Sequence, residues 1–345
     1  MIQATHHDTE AKTDYGLLSD MGVRTVRDAL RWHLIERTPG SYDWSSFLPM
    51  LKAATATGTQ VIWDLCHWGV PDDLDPFSAE FVSRFERYCG AAAQVVKDHT
   101  NETAFFCPIN EISFWSFIGG DRGAFFPYGK RRGPQLKRRL VEASVAGTRA
   151  VRSVLPAARF VQCEPIIHIA GSPKRPTSFD EAARYTASQY EAWDMLCGRV
   201  APELGGDESF LDIIGCNYYW NNQWTHKSHV TPIGHPYHRP LHQMLLDIHQ
   251  RYKRPTLITE TGAEAGSGVG WLGMICSEAR MAMHSGVDLR GICLYPVMDY
   301  PGWEDNRHCE CGLITLDAEW KSRGMRQDLA AELAVQNRLL EGVAH

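Results

Sequence analysis

Short apolar segments alternate with longer amphipathic segments along almost the whole chain. The apolar residues of the short segments are consecutive rather than alternating, a pattern typical of parallel strands that are covered on both faces. Seven segments of this kind occur, at residues 23–30, 59–66, 103–110, 158–167, 210–217, 255–260 and 289–297. The amphipathic segments between them have a period of 3.6 residues, which predicts helices.

The clearest predicted helix follows Ser78, a residue suited to an N-cap, and carries Phe81, Phe85 and Tyr88 on one stripe. Further helices are predicted near residues 9–21, 134–154, 178–200, 239–252, 272–286 and 320–341. Strands and helices alternate at a near-constant interval without a linker, which predicts one α/β domain over residues 1–345, a (β/α)₈ barrel. Its first strand is either a short one at residues 1–5 or missing, because the first helix follows almost at once.

Composition and charge exclude several classes of protein. The chain has 345 residues, of which 44% are hydrophobic, too many for a disordered chain. No stretch approaches the roughly 20 apolar residues that cross a bilayer. The net charge of −6 argues against a general nucleic-acid binder, so we expect neither nucleic acid nor a membrane as partner. The oligomeric state cannot be predicted.

The cysteines and the N-terminus bear on the compartment. Ten cysteines are scattered along the chain, with only Cys309 and Cys311 close together. In a chain of this size they are expected to be reduced and mostly buried. The N-terminal residues include neither a basic nor an apolar region typical of a signal peptide. These features predict a cytoplasmic protein.

Two glutamates end predicted strands, where the active site of such a barrel is built. Glu111 ends the predicted fourth strand, and Glu260 ends the seventh. Acid-assisted hydrolysis of a glycosidic bond needs two carboxyl groups, one to protonate the leaving oxygen and one to attack or to activate water. A single glutamate in such a place could equally be a structural ion-pair partner. Two of them at the mouth of one barrel favour catalysis.

Six segments, in this order, are similar to motifs of the family-one glycoside hydrolases. They are VRTVRDALRWHLIERTPGSYDW with Arg27, DLCHWGVPDDL with His67 and Trp68, PINE with Asn110 and Glu111, IIGCNYYW with Asn217 and Tyr219, LITETG with Glu260, and GICLYPVMDYPGWED with Tyr295 and Trp303. The resemblance covers nearly the whole chain. It implies a (β/α)₈ barrel and a retaining β-glycosidase that acts on a small β-glucoside or β-galactoside, with a carbohydrate as its only ligand and no cofactor or metal.

The resemblance also implies a role for each matched residue. Glu260 would be the nucleophile and Glu111 the acid/base, while Arg27 keeps Glu260 ionised and Tyr219 donates a hydrogen bond to it. Asn110 would hold the sugar 2-hydroxyl and His67 would donate to a ring hydroxyl. The remaining substrate-binding residues that it implies are Trp68, Asn217, Tyr295, Trp303 and Glu304.

The chain also departs from the family pattern. The first-strand Q-x-E-G segment has no counterpart, Thr261 replaces an asparagine, and Tyr295 replaces a tryptophan. Gly302 stands where a glutamate of the family binds the 4- and 6-hydroxyls, and Glu304 or Asp305 could replace it. These positions concern the choice of sugar rather than bond cleavage. Two alternatives stay open: an endo-acting or transglycosylating barrel of the same clan, and a sugar-binding barrel without activity.

Three weaker signals have a structural interpretation beside a functional one. The basic run at residues 130–139 is either a solvated surface or a site for a phosphorylated sugar or an anionic aglycone. The glycines of GVGWLG, residues 268–273, indicate a tight loop more than a dinucleotide site, because they do not directly follow a strand. The histidines at 226–238 and the His308, Cys309 and Cys311 group lack the spacing of a zinc site.

Overall fold

A parallel sheet of seven strands forms the centre of the computed structural model, which describes residues 2–264, 266–303 and 305–342. The strands are β1 (Thr25–Ala29), β2 (Gln60–Cys66), β3 (Phe105–Ile109), β4 (Arg159–Pro165), β5 (Ile213–Asn217), β6 (Thr256–Thr261) and β7 (Leu289–Leu294). Each strand pairs in parallel with the next. All seven lie within or next to the predicted segments, and the predicted barrel is confirmed.

No strand forms in residues 2–6, which are turns, so the strands predicted as second to eighth are β1 to β7. Within the described residues, the outer edges of β1 and β7 have no strand partner. Residues of these two strands are mostly half-buried, whereas β3 and β5 are almost wholly buried. The wall of the barrel is therefore open between β1 and β7, as expected for a barrel that lacks its first strand.

Helices follow the strands and cover the sheet. The α-helices of six or more residues are α1 (His7–Asp20), α2 (Leu48–Thr57), α3 (Ala79–Lys97), α4 (Gly133–Val154), α5 (Ser178–Ala187), α6 (Glu191–Leu196), α7 (Leu241–Tyr252), α8 (Gly268–His284) and α9 (Gln327–Glu341). Ser78 caps α3 as predicted, since its Oγ accepts a hydrogen bond from the Phe81 amide at 3.3 Å. Phe81, Phe85 and Tyr88 are completely buried.

Three helix predictions need correction. Helix α2 was not predicted. The glycines of residues 268–273 lie in the first turns of α8 and not in a loop. The helix predicted from residue 320 begins at Gln327, because residues 314–316 and 323–325 form a hairpin. The Asp317 carboxylate accepts hydrogen bonds from the amides of residues 319, 321 and 322, and these bonds close the hairpin turn.

The cysteines are all free, and eight of the ten are buried. Most of the buried thiols lie among the apolar residues of the core, as small hydrophobic groups do. Across the described ranges, none of the helices combines the length and the apolar character needed to cross a membrane.

A buried charge network joins α1 to β1. The two ring nitrogens of His7 contact Asp14 and Asp28, each at 2.8 Å. Tyr15 donates to Asp28, and Arg323 donates to Asp14. Burial lowers the pKa of His7, but the two aspartates outweigh burial and raise it to about 10. His7 is therefore an imidazolium in the folded protein at neutral pH.

We expect the contribution of His7 to the free energy of unfolding to decrease with rising pH. Because its pKa is higher in the folded chain, the contribution is full below about pH 6.5, the unfolded value, and is lost as the pH rises through about 10. Near pH 6, His7→Gln should cost about 3 kcal/mol in urea unfolding. His6→Asn is the control, since His6 is exposed. A His7→Gln deficit that stays constant up to pH 10 would contradict this assignment.

Candidate active site

A cavity of about 880 Å³ opens at the carboxyl ends of the strands. Seven of the residues that the sequence placed in the site line it: His67, Trp68, Glu111, Tyr219, Glu260, Tyr295 and Trp303. Arg27, Asn110 and Asn217 lie behind this lining and contact its polar groups. Glu304 lies outside the described residues. The chain thus brings the two glutamates, from β6 and from the end of β3, to one cavity.

Glu260 on β6 has a partner for each of its carboxylate oxygens. Arg27 Nη1 donates to Oε1 at 2.6 Å, and the Tyr219 hydroxyl donates to Oε2 at 3.1 Å. Arg27 is on β1, so this ion pair crosses the open side of the barrel. Two donors hold the carboxylate in one orientation, as a nucleophile requires.

Glu111 is the second residue after β3 and has a left-handed backbone, with φ 46° and ψ 62°. Asn217 Nδ2 donates to Glu111 Oε1 at 2.9 Å, and Thr259 Oγ1 donates to Asn217 Oδ1 at 2.6 Å. Burial raises the pKa of Glu111 well above its usual value, and the negative charge of Glu260 raises it further. A raised pKa lets a carboxyl group hold its proton to higher pH, as a general acid requires.

Asn217, which was predicted to bind substrate, is completely buried, and both ends of its amide have protein partners. Its hydrogen bond to Oε1 orients the Glu111 carboxyl group. The contact of Asn217 to a sugar stays a prediction.

A closed ring of hydrogen bonds joins Arg27, Asn110, His67 and Asp64. Arg27 Nη2 donates to Asn110 Oδ1, which turns Asn110 Nδ2 towards His67 Nε2 at 3.2 Å. Since the amide can only donate there, Nε2 accepts and the proton of His67 is on Nδ1. Nδ1 then donates to Asp64 Oδ2 at 2.9 Å. Asp64 completes the ring by accepting from Arg27 Nε and Nη2, at 2.8 and 2.7 Å.

Both ring nitrogens of His67 have protein partners, since Nδ1 donates to Asp64 and Nε2 accepts from Asn110. The hydrogen bond from His67 to a ring hydroxyl stays a prediction. Asn110 is 1% exposed, and both ends of its amide are likewise occupied. Its contact to the sugar 2-hydroxyl stays a prediction.

Asp64 is a residue of the site that the sequence analysis missed. It is buried within β2. Burial raises the pKa of its carboxyl, but Arg27 and His67 outweigh burial, and the net pKa lies below its usual value. The available signal was an aspartate inside the apolar strand QVIWDLC, three residues before His67. A charge in such a segment needs a buried partner.

Aromatic rings form one wall of the cavity. Trp68 packs edge-on against Trp303, with ring centroids 6.1 Å apart, and its Nε1 donates to the Asn110 carbonyl at 2.9 Å. Tyr219 and Tyr295 form a second edge-on pair at 6.5 Å. Trp303 is 54% exposed, so its ring has a free face at the mouth of the cavity. Such surfaces suit the apolar faces of sugar rings.

Neighbouring side chains crowd the position of Gly302, where the family has a glutamate. A Cβ atom at this position would lie 2.6 Å from Asp305 Oδ1 and 3.3 Å from Cys309 Sγ. Asp305 is exposed and accepts from the Arg307 amide. A contact of Asp305 to the 4- and 6-hydroxyls in place of the family glutamate stays a prediction.

The basic run at residues 130–139 contributes one cation to the described lining, Lys137, and Glu191 is its ion-pair partner. Arg132 stacks over Phe77 instead. Four carboxyl groups belong to the same described lining: Glu111, Asp121, Glu191 and Glu260. Carboxyl groups therefore outnumber cations in this part of the lining. Within the described ranges, no cluster of three or more histidine, cysteine or acidic side chains could hold a metal ion.

Comparisons with known proteins agree with this picture. No family model matches the chain. The aryl-phospho-β-D-glucosidase BglC of Bacillus subtilis is 21% identical over 411 aligned residues, covering 92% of this chain and 83% of that protein. A β-glucosidase from Thermotoga maritima in complex with glucoimidazole superposes with a TM-score of 0.79 at 15% identity, over 97% of this chain and 87% of the other.

A hyperthermophilic β-glucosidase mutant superposes with a TM-score of 0.78 at 17% identity, over 95% of this chain and 88% of the other. The solved structures confirm the predicted barrel. The curated relative agrees with the predicted enzyme class and with the resemblance described above. The chain is thus similar in sequence to an aryl-phospho-β-D-glucosidase and in fold to solved β-glucosidases, in agreement with its resemblance to the family-one glycoside hydrolases.

Proposed function

We propose that the protein is a retaining β-glycosidase that hydrolyses a small, uncharged β-glucoside or β-galactoside. The observation that carries the proposal is the contrast between the two glutamates of the cavity. Glu260 is ion-paired with Arg27, whereas the pKa of Glu111 is raised by burial and by the charge of Glu260. One carboxylate and one carboxylic acid at the same mouth are the pair that acid-assisted glycoside cleavage requires.

The reaction has two steps. In the first, Glu260 attacks the anomeric carbon, the bond to the aglycone breaks, and the Glu111 proton passes to the departing oxygen. In the second, Glu111 takes a proton from water, the water oxygen attacks the same carbon, and Glu260 leaves as a carboxylate. Arg27 and Tyr219 hold the nucleophile throughout, and Asn217 holds the acid/base. Two inversions restore the original anomeric configuration.

The carboxyl groups of the described lining support an uncharged substrate. The name of the Bacillus subtilis relative includes a phosphorylated sugar, which would need a free cation. In the described lining, Lys137 is already paired with Glu191, and the remaining carboxyl groups are Glu111, Asp121 and Glu260. The negative charge of a phosphate group on the sugar would be repelled there. A cytoplasmic location and a single domain over residues 1–345 stay predictions.

A panel of p-nitrophenyl glycosides tests the proposal. We expect turnover of the β-D-glucoside or the β-D-galactoside, with kcat/KM at least about 10-fold above that of the corresponding 6-phosphate. Proton NMR of the first product should show the β-anomer. Preference for the 6-phosphate would overturn the choice of substrate, and an α-anomer would overturn retention. Calorimetric binding of sugars without turnover would instead support an inactive sugar-binding barrel.

A further inference from the structure

A third carboxyl group lies buried at the mouth of the barrel and takes no part in the steps above. Glu164 is near the carboxyl end of β4 and is 1% exposed. Its two oxygens accept from the Ser113 amide, at 3.2 and 3.0 Å. Ser113 comes two residues after Glu111. Glu164 thus contacts the backbone that follows the acid/base and not the cavity itself.

The backbone at Glu111 needs such support. Its left-handed conformation is unfavourable for a side chain other than glycine, asparagine or aspartate. The Glu111 amide donates to the Cys163 carbonyl at 3.0 Å, and Glu164 accepts from Ser113. Cys163 and Glu164, consecutive residues of β4, therefore anchor the turn at Glu111 itself and at Ser113.

We propose that Glu164 is a positioning residue for Glu111, and that its carboxylate holds the turn that aims Glu111 into the cavity. This inference rests on the proposed function, because the orientation of Glu111 matters to the reaction only if Glu111 is the acid/base. It adds a residue of β4 to a site otherwise built from β1, β2, β3, β5, β6 and the loop after β7.

Groups on four strands affect the pKa of Glu111. Glu260 on β6 and Glu164 on β4 raise its pKa, whereas the Asn217 amide on β5 and the Arg27 guanidinium on β1 lower it. Burial is the largest cause and also raises it. Removal of the Glu164 charge should therefore lower the pKa of Glu111. Because the acid must be protonated, activity should then be lost at a lower pH.

Opposing effects also act on the pKa of Glu164 itself. Burial raises its pKa to about 7, while the amide hydrogen bonds from the 112–113 turn and the Lys137 ammonium on α4 lower it. Glu164 is consequently charged above neutral pH, where Glu111 must still hold its proton. The two carboxyl groups oppose each other's ionisation, and this opposition extends the acid form of Glu111 to higher pH.

Two variants separate the charge from the hydrogen bond. Glu164→Gln removes the charge and keeps an acceptor for Ser113. We expect the alkaline limb of kcat/KM to move down by about one pH unit, with the plateau within about threefold of wild type. Glu164→Asp keeps the charge but withdraws it by one methylene. It should lower the plateau by about 10-fold and leave the limb in place.

Asp212→Asn is the matched control. Asp212 pairs with Arg159 at the opposite end of β4, so its removal should not move the limb. An alkaline limb that Glu164→Gln leaves unmoved, or that Asp212→Asn moves equally, would overturn the inference. Glu164→Gln that lowers only the plateau would show a purely structural role and would overturn it as well.

A direct titration keeps the inference separate from the proposed function. In wild-type protein labelled at the glutamate carboxyl carbons, NMR should show two carboxyl groups that titrate well above the usual glutamate range, assigned with Glu111→Gln and Glu164→Gln. Loss of the Glu164 charge should shift the Glu111 titration downward. A wild-type protein without turnover would refute the glycosidase, whereas an unshifted Glu111 titration would refute the inference alone.

Discussion

Replacement of Glu260 by glutamine is expected to lower kcat/KM by at least about 10⁴-fold on every substrate. The amide cannot form the glycosyl-enzyme, although it keeps the size of the side chain. Azide should restore turnover in Glu260→Gly, because the small anion fits the vacated place and attacks from the face opposite the aglycone. The product should be the α-glycosyl azide, inverted with respect to the substrate, as NMR would show.

Glu278→Gln is the control for this experiment. Glu278 pairs with His242 and lies outside the described cavity lining, so its loss should leave kcat/KM unchanged. A Glu260→Gln enzyme that retained more than about one per cent of wild-type activity would contradict the role as nucleophile. So would a β-glycosyl azide from Glu260→Gly.

Replacement of Glu111 by alanine should have an effect that depends on the leaving group. With a poor leaving group such as methanol, kcat/KM should fall by about 10³-fold, since the departing oxygen then leaves without a proton. With 2,4-dinitrophenolate the same step needs no acid and should be much less affected. Steady-state kinetics with the two substrates give the comparison. The alkaline limb of the wild-type profile should also disappear.

The control for Glu111 is Glu102→Gln, an exposed glutamate that precedes the same strand. It should behave like wild type with both aglycones. Equal losses with good and poor leaving groups in Glu111→Ala would indicate a damaged site and not a missing proton donor. Azide should accelerate this variant and give the β-glycosyl azide, since Glu260 still forms the intermediate.

The strands could be predicted because buried parallel strands are continuous apolar runs, and each of the seven has such a run. Helix α2 was harder, since its short sequence LPMLKAATAT has little amphipathic contrast. The start of α8 was misjudged because glycine and valine are weak helix formers, yet packing of Trp271 against the core determines it. The hairpin before α9 depends on hydrogen bonds from backbone amides to the Asp317 carboxylate, which the hydrophobic periodicity of the sequence does not reveal.

The two glutamates and the partners of Glu260 could be predicted from strand ends and motif order. Asp64 and Glu164 were missed, because each is a single acidic residue inside an apolar strand with a partner that is distant in sequence. Arg27 is 37 residues from Asp64, and Ser113 is 51 residues from Glu164. The hydrogen-bond ring also depends on the direction of an asparagine amide, which only the assembled side chains define.

The open wall between β1 and β7 gives the ion pair of Arg27 with Glu260 a structural role beside its role at the nucleophile. Arg27 also donates to the Thr259 carbonyl, so one side chain from β1 reaches the backbone and the nucleophile of β6. Arg27 thus joins β1 to β6 across an edge where no strand pairing forms in the described chain. Each time Glu260 bonds covalently to a sugar it loses its negative charge, and the ion pair with Arg27 is lost. The contact between β1 and β6 should accordingly be weakest in the covalent intermediate.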